Sequence, residues 1–221
     1  STTTSAPETA CVRPCPVQVP TRDKWGQLGW ELGTLGYPTS DPACGLVGGG
    51  CFQDFQNGAI YWSPASGAQM IRGPIREAWA VQGWEAGWLG YPLTDEVCGL
   101  RDGGCTTHFQ HGTIYWTAAT GARPSNPQML QKWVPLGMEK GTLGYPTTDV
   151  VCGSDRGGCF QGFQGGTIYW TQTTGAQFVR GSIQAAWAVT GYQSGWMGYP
   201  LTDEVCGLRD GGCTNHFEHG T

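Results

Sequence analysis

Charged residues are scarce in this sequence of 221 residues, of which only 13% are Asp, Glu, Lys or Arg. Basic residues are the scarcer sign, with 12 Lys and Arg against 17 Asp and Glu, and no stretch of the chain collects them. A protein that neutralises a nucleic-acid backbone needs a clustered excess of basic side chains. The net charge of -5 therefore argues against a nucleic-acid partner.

Long apolar runs and long helical patterns are missing as well. No apolar run approaches the roughly 20 residues that cross a bilayer, and no basic start leads into an apolar segment as in a signal peptide. We therefore expect a soluble chain without a membrane span, from which any signal has been removed or omitted. No helical periodicity extends beyond about ten residues, whereas 37 Gly and 14 Pro predict a mainly β protein of short strands and tight turns.

Signatures of catalysis are also absent. The sequence has neither a Gly-x-Ser-x-Gly nucleophile elbow nor a phosphate-binding loop. Asp95 and Glu96 form a pair of carboxylates that recurs at Asp203 and Glu204, and glycoside hydrolysis does need two carboxyls, about 5 to 9.5 Å apart. Neighbours in sequence tend to point in different directions, however, and nothing around these pairs resembles an active site. We predict no enzyme activity and no cofactor.

What the sequence has in abundance is repetition. The phrase Leu-Gly-Tyr-Pro occurs at Leu35–Pro38, Leu89–Pro92 and Leu143–Pro146, and it returns as Met-Gly-Tyr-Pro at Met197–Pro200. Successive copies begin at a constant spacing of about 54 residues, and self-similarity at a fixed period of this size indicates a repeat architecture.

The period divides the chain into units. We predict a flexible tether and N-terminal segment over residues 1–19, full repeats over 20–73, 74–127 and 128–181, and an incomplete fourth repeat over 182–221.

The same elements are predicted in every unit. Pro74 stands at a plausible first position of a short helix. The apolar strands Phe52–Gln56 and Ile60–Trp62 flank Asn57 and Gly58, a two-residue turn of the kind that joins a tight hairpin. Each unit is therefore expected to be a small β-meander plus a short helix.

A second sequence period, twice as long as the first, is superimposed on the repeat of single units. The run Thr94–Cys105 recurs unchanged at Thr202–Cys213, and Trp88 and Trp196 precede the motif only in the even copies. We therefore expect two alternating environments, as units in alternating orientation along an elongated stalk would produce.

Eight of the ten cysteines form four pairs with six intervening residues, whereas zinc sites favour two to four. We predict local disulfides, each closing a loop of eight residues and stabilising its unit by about 2.5 kcal/mol. Disulfides indicate an oxidising compartment, so a secreted or cell-surface protein is expected. The predicted pairs are Cys44 with Cys51, Cys98 with Cys105, Cys152 with Cys159 and Cys206 with Cys213, and Cys11 and Cys15 could bridge each other.

Histidine pairs flank the hairpin turn in the even units, at His108 and His111 and at His216 and His219. They could present a metal site, but polar residues at hairpin ends usually face solvent. We predict no metal.

Aromatic residues are the main candidates for binding, because their rings stack on the C–H faces of sugars. Strand alternation predicts that the Tyr of each Ile-Tyr-Trp strand turns away from its Ile and Trp. Further candidates lie between glycines or beside the motif. Two alternatives stay open for all of them, stacking on sugar and packing on the next unit. The candidates are Tyr61, Tyr115, Tyr169, Trp30, Trp84, Tyr192, Trp88 and Trp196.

The sequence resembles the LGFP repeat, which occurs in actinobacterial envelopes attached to mycolyltransferases and wall hydrolases. The resemblance covers about residues 20–221 and rests on Leu-Gly-Tyr-Pro, the Ser/Thr-Asp after it, Gly-x-Ile-Tyr-Trp, Thr-Gly-Ala and the Trp-bearing helix. A cysteine pair replaces the Asp-Gly-x-Gly-Arg loop that is common in the family. The resemblance implies compact β units strung into a stalk that associates with wall polysaccharide.

These observations favour a secreted, non-catalytic array that binds cell-wall glycan, of arabinogalactan or peptidoglycan type, through several weak sites. A structural stalk is the alternative, including a filament of chains joined by strand exchange at the unfinished fourth repeat. A third hypothesis is that the repeats target an enzyme whose catalytic domain lies elsewhere.

Overall fold

The computed structural model describes residues 20–221, and the N-terminal segment with Cys11 and Cys15 lies outside them. The elements recur in the same order along the chain. Unit 1 contains α1 (Pro20–Gln27), β1 (Ala43–Cys44), β2 (Cys51–Phe55), β3 (Gly58–Ser63) and β4 (Gly67–Ile71). Unit 2 contains α2 (Gly73–Val81), β5 (Val97–Cys98), β6 (Cys105–Phe109), β7 (Gly112–Thr117) and β8 (Gly121–Ser125). Unit 3 contains α3 (Pro127–Trp133), β9 (Val151–Cys152), β10 (Cys159–Phe163), β11 (Gly166–Thr171) and β12 (Gly175–Val179), and unit 4 contains α4 (Gly181–Val189), β13 (Val205–Cys206) and β14 (Cys213–Thr214).

Each of the first three units forms a four-stranded antiparallel meander in which neighbours in sequence are neighbours in the sheet. In unit 1, Phe52 lies opposite Tyr61 and Tyr61 opposite Gln69. Unit 4 has a two-stranded sheet, β13 with β14. The mainly β tandem array predicted from the sequence is confirmed. No helix among residues 20–221 has the length and apolar character needed to cross a membrane.

The tryptophan of each helix holds its unit together. Trp79 and Trp133 are fully buried, and their indole N–H groups donate hydrogen bonds of 3.1 and 3.0 Å to the carbonyls of Gly90 and Gly144 in the motif. A buried indole needs such a partner. Trp25 makes the same bond to the carbonyl of Gly36, whereas the buried indole nitrogen of Trp187 in unit 4 has no partner among the described residues. The constant spacing between tryptophan and motif therefore reflects a hydrogen bond that units 1 to 3 share.

The glycine of the motif is required by close approach and by conformation. Gly90 has a φ of 70°, and a Cβ there would lie 2.4 Å from Oε1 of Gln110. That oxygen accepts a hydrogen bond of 2.9 Å from the backbone N–H of Tyr91. Glycine at this position thus leaves room for the side chain of Gln110, which binds the backbone of the motif.

All four predicted cysteine pairs in the described part of the chain are disulfides. Cys44 lies directly opposite Cys51 on the short ladder between β1 and β2, and the same pairing recurs in the other units. The bridge therefore closes the loop that precedes the long strands of each sheet.

Successive units are joined by reciprocal tyrosine contacts. The tyrosine of each Ile-Tyr-Trp strand packs on the helix tryptophan of the next unit, and the motif tyrosine of that next unit reaches back. The hydroxyls of Tyr91, Tyr145 and Tyr199 donate hydrogen bonds of 2.7, 2.6 and 2.7 Å to carbonyls of the preceding unit. The core is thus continuous from one unit to the next.

Two kinds of interface alternate along the chain. Asp95 accepts a hydrogen bond from the backbone N–H of Met70 at 2.7 Å and pairs with Lys24 at 2.6 Å, and the same contacts recur between units 3 and 4. Between units 2 and 3, Pro124 stands in the place of Met70 and has no N–H to donate. Asp149 there pairs with Arg123 instead. The two-unit period of the sequence therefore corresponds to the alternation of two kinds of interface between units.

Candidate functional site

The tyrosines of the Ile-Tyr-Trp strands lie inside the array. Tyr61, Tyr115 and Tyr169 are only 5%, 3% and 4% exposed. Each ring meets the helix tryptophan of the next unit edge-on, with centroids 4.6, 4.6 and 4.7 Å apart. Of the two alternatives left open by the sequence, these contacts favour packing on the next unit over stacking on sugar, because the following unit covers the face toward which strand alternation turns the rings.

Burial also sets the protonation of these tyrosines. Loss of hydration raises the pKa of Tyr61 and of Tyr115 to about 12. A hydroxyl with such a pKa stays protonated at neutral pH. These groups are therefore neutral packing groups and are unsuited to acid or base catalysis near neutrality.

Trp84 is half-buried and also belongs to the interface between units 1 and 2. Its ring stacks on that of Tyr61 with centroids 6.1 Å apart, and Phe52 stacks on the same tyrosine at 5.2 Å. The guanidinium of Arg76 lies 5.6 Å from the centroid of the Trp84 ring. Most of this ring is thus engaged within the protein.

Trp30 and Tyr192 are exposed, although each touches its own helix tryptophan. Trp30 meets Trp25 edge-on at 5.0 Å, and Tyr192 meets Trp187 at 5.5 Å. Both backbones are left-handed, with φ of 55° and 53°. One face of each ring is supported by the protein, which leaves these residues as secondary candidates.

Among the candidates in the even units, Trp88 and Trp196 are the most exposed, at 40% and 66%. The indole N–H of Trp88 donates a hydrogen bond of 2.7 Å to Oε1 of Gln82. The ring lies against Gly112, where an added Cβ would come within 2.9 Å of Cζ3. Trp88 is therefore held at its edge and offers ring surface to solvent.

A groove of about 480 Å³ lies between units 1 and 2. Arg72 and Glu96 face each other across it, with Nε of the arginine 3.0 Å from Oε1 of the glutamate. The side chain of Glu96 is 7% exposed, whereas that of Arg72 is 39% exposed. We call this the first Arg–Glu groove, and its remaining lining includes Asn57, Pro74, Ile75, Trp116 and the Cys98–Cys105 disulfide.

An equivalent groove of about 320 Å³ lies between units 3 and 4. Arg180 and Glu204 take the places of Arg72 and Glu96, and two nitrogens of the guanidinium each donate a hydrogen bond of 3.1 Å to the carboxylate. Glu204 is 8% exposed. We call this the second Arg–Glu groove. The corresponding positions between units 2 and 3 are Asn126 and Val150, so that interface lacks the ion pair.

The paired carboxylates are occupied by structural contacts. Both oxygens of Asp95 are bound, one by Lys24 and one by the backbone of Met70, and Glu96 pairs with Arg72. Neither carboxylate has the free, matched environment of a general acid or base.

The described residues offer no thiolate to a metal. The groups of His, Cys, Asp and Glu close enough to hold an ion within residues 20–221 are Glu96 with Cys98 and Cys105, and Glu204 with Cys206 and Cys213. All these sulfurs are in disulfides, which leaves one carboxylate in each group. His108 is exposed and bonds to Oγ1 of Thr113 at 2.9 Å.

Sequence reasoning did not single out Arg72, Ile75 or Trp116 as parts of a site, and it considered Glu96 only as a catalytic candidate. The signal for the groove was present in the sequence. Arg72 and Arg180 recur two units apart, and each precedes a glutamate of the repeated Thr-Asp-Glu phrase by the same distance along the chain. Without the fold, this constant separation does not show that the two side chains meet across an interface.

Comparison with known proteins gives one finding on family and one on relatives. The model of the LGFP repeat family matches residues 35–87, 89–141, 143–195 and 197–221, so that each match begins with the four-residue motif. The search of curated proteins found no match.

Proposed function

The chain belongs to the LGFP repeat family, and from this premise we propose that it binds cell-wall glycan without catalysing a reaction on it. The family indicates a cell-wall-associated repeat module. The four local disulfides are typical of proteins of the cell envelope or of secreted proteins. The glycan class proposed is a wall polysaccharide of arabinogalactan or peptidoglycan type.

The single observation that carries the proposal is the exposure of Trp88 and Trp196 at equivalent places in units 2 and 4. An indole held at one edge and open on its face is suited to stack on a sugar ring. Two weak sites on one chain raise the affinity for a polymer, because the second contact is made at a high effective concentration. The spacing by two units then places one such ring on every second repeat.

The test is the affinity of the intact chain for purified wall polysaccharide, measured by calorimetry or pull-down. We expect a loss of about tenfold for Trp88→Ala or Trp196→Ala, by the usual value of one stacked ring, and a much steeper loss for the double variant. Leu32→Ala and Val189→Ala, which also remove exposed apolar side chains, serve as matched controls and should bind as the parent does. Absence of binding by the parent, or a double variant that binds equally well, would contradict the proposal.

A structural stalk is the second candidate function. The observation that favours it is the tyrosine contact that repeats at all three interfaces of the described residues. Small-angle scattering tests this function, since a stalk requires an extended particle whose dimensions do not depend on glycan. An extended particle with no affinity for wall polymer would favour the stalk, and an assembly of several chains in size exclusion would favour its filament form.

A further inference from the structure

We propose that the first Arg–Glu groove is a binding site for the vicinal diol of a neutral sugar ring. The inference rests on the proposed function and deepens it, because it adds a second class of site and names the chemical group that the site recognises. It is carried by the first groove, at Arg72 and Glu96. In the second Arg–Glu groove the guanidinium of Arg180 binds both oxygens of Glu204, so the inference does not extend to it.

The first Arg–Glu groove places unused donors beside an unused acceptor. Only Nε of Arg72 and Oε1 of Glu96 are hydrogen-bonded to each other. Among residues 20–221, the hydrogen bond between these side chains uses neither terminal nitrogen of the guanidinium nor Oε2 of the carboxylate. Two adjacent hydroxyl groups match such a pair, because one can accept from the guanidinium while the other donates to the carboxylate.

The charge of the groove argues for a neutral ligand. Arginine and glutamate cancel within the first Arg–Glu groove, and they do so again in the second. An anion would meet the carboxylate and a cation the guanidinium, each at close range and in a half-buried place where repulsion is screened weakly. A polyol meets neither penalty, so the electrostatics favour a sugar over a charged ligand.

The wall of the groove supplies the apolar half of sugar recognition. Ile75 is 1% exposed and underlies the first Arg–Glu groove, and the half-buried Trp116 lines it. Sugar rings present C–H groups on one face and hydroxyls at the edge, so an apolar wall beside a polar pair fits them. Ile183 stands at the matching place in the second Arg–Glu groove.

The test uses the intact chain with labelled indole nitrogens and two small probes. Methyl arabinofuranoside carries a free vicinal diol, and its 2-deoxy counterpart lacks it. We expect the indole resonance of Trp116 to shift with the diol and to stay in place with the deoxy sugar. Glu96→Gln should weaken the response of Trp116 at least about tenfold, as expected when a hydrogen bond to a charged group is lost. Glu77→Gln, at an exposed position on α2, is the matched control and should respond as the parent does.

A second variant guards against a folding defect. Arg72→Lys keeps the charge at the interface but removes the planar fork, and it should also abolish the shift while the thermal midpoint stays near that of the parent. A Trp116 resonance that ignores the diol, or one that follows both probes equally, overturns the inference.

The indole of Trp88 reports on the proposed function separately. If it shifts with wall polysaccharide while Trp116 responds to neither probe, the inference falls and the proposed function stands. If neither resonance moves with polysaccharide and the chain binds no polymer, the proposed function falls as well.

Discussion

At the scale of single residues, three glycines are required because a tyrosine of the next unit occupies the place of a side chain. A Cβ at Gly50, Gly104 or Gly158 would lie 2.1, 2.2 or 2.1 Å from the hydroxyl of the motif tyrosine that follows. None of the three has a positive φ. Glycine is therefore needed here for space and not for backbone conformation.

Gly104→Ala should destabilise the interface between units 2 and 3 by about 1 to 3 kcal/mol, the usual cost of forcing extra atoms into a packed site. The added methyl would displace the Tyr145 hydroxyl from its hydrogen bond to the carbonyl of Arg101. Urea denaturation of the variant measures the loss.

Gly212→Ala is the matched control for this change. The nearest atom to its added Cβ is a backbone oxygen at 3.3 Å, and no tyrosine lies beside it. We expect a change within about 0.5 kcal/mol, as for surface substitutions. Equal losses for both variants would contradict the assignment of Gly104 to the interface.

The buried tyrosines predict a loss of stability at alkaline pH. Tyr61 and Tyr115 have folded-state pKa values of about 12 against an ordinary value of 10.0. Above pH 10 the unfolded chain releases protons that the folded chain keeps, so the free energy of unfolding should fall between about pH 10 and 12 and stay level below. Denaturation curves across this range, for the parent and for Tyr115→Phe, are the measurement. The variant should show a shallower fall, and an unchanged slope would contradict the prediction.

Residue patterns predicted the direction of these side chains but not what covers them. Strand alternation placed Tyr61 on the opposite face from Ile60 and Trp62, and opposite faces of a strand are both buried when a further unit packs on the sheet. The sequence left this alternative open because the contact with Trp79 joins two units. The sequence likewise did not separate the exposed Trp88 from the half-buried Trp84, since the same two alternatives were open for both.

At the scale of elements, the local hairpins were the most predictable part of the fold. A two-residue turn joins β2 to β3 as predicted, but it lies at Gln56 and Asn57, one residue earlier than residue type indicated, because Gly58 pairs with Phe55 as the first residue of β3. The two-residue strands β1 and β5 were not predicted, since no run of apolar residues marks them. They exist because each carries the first cysteine of a bridge, which brings it against the following long strand.

Removing one bridge should weaken one unit. Replacing both Cys152 and Cys159 by Ser opens a loop of eight residues, and the chain-entropy estimate gives a loss of about 2.5 kcal/mol. Hydrogen exchange of the β10 amides, followed by mass spectrometry, reports the loss locally.

The same double substitution at Cys44 and Cys51 is the matched control. In a repeat protein each unit couples chiefly to its neighbours, so this variant should leave β10 exchange nearly unchanged. Equal acceleration of β10 in both variants would mean that the array opens as one cooperative body and would contradict local stabilisation.

At the scale of the whole molecule, the described residues form two pairs of units, because ion pairs are distributed unevenly among the interfaces. Three ion pairs join units 1 and 2, three join units 3 and 4, and one joins units 2 and 3. They are Lys24–Asp95, Arg72–Glu96 and Arg76–Asp54; Lys132–Asp203, Arg180–Glu204 and Arg156–Glu218; and Arg123–Asp149.

The central interface is also held by hydrogen bonds of Gln161, and Asn215 makes the equivalent bonds to two carbonyls between units 3 and 4. The side-chain amide of Gln161 donates to the carbonyls of Pro124 and Thr148 at 2.9 Å each, and its oxygen accepts from Ser125 at 2.8 Å. The bonds of Gln161 are neutral and weaker than charge-assisted ones, and the guanidinium of Arg101 adds one charge-assisted bond, to the carbonyl of Glu139 at 3.0 Å. One of these bonds goes to the edge strand β8, where Pro124 has no backbone N–H to donate but its carbonyl accepts from Gln161. From the smaller number of ion pairs, we expect the central interface to be less strongly held than the outer two.

This difference predicts that the array opens first between units 2 and 3. Trp79 and Trp133 are a matched pair of probes, because both are fully buried and both donate to a motif carbonyl in their own unit. A tyrosine of the preceding unit covers each of them. We expect the indole N–H of Trp133 to exchange with solvent about tenfold faster than that of Trp79, a difference of the size that one or two partly buried ion pairs supply.

Raising the salt concentration to about 1 M should reduce the difference between the two exchange rates, because salt shortens the range of the charge interactions at the outer interfaces. Exchange of Trp133 that is as slow as that of Trp79 at low salt would mean that the neutral network of Gln161 holds the central interface as firmly as three ion pairs hold the others.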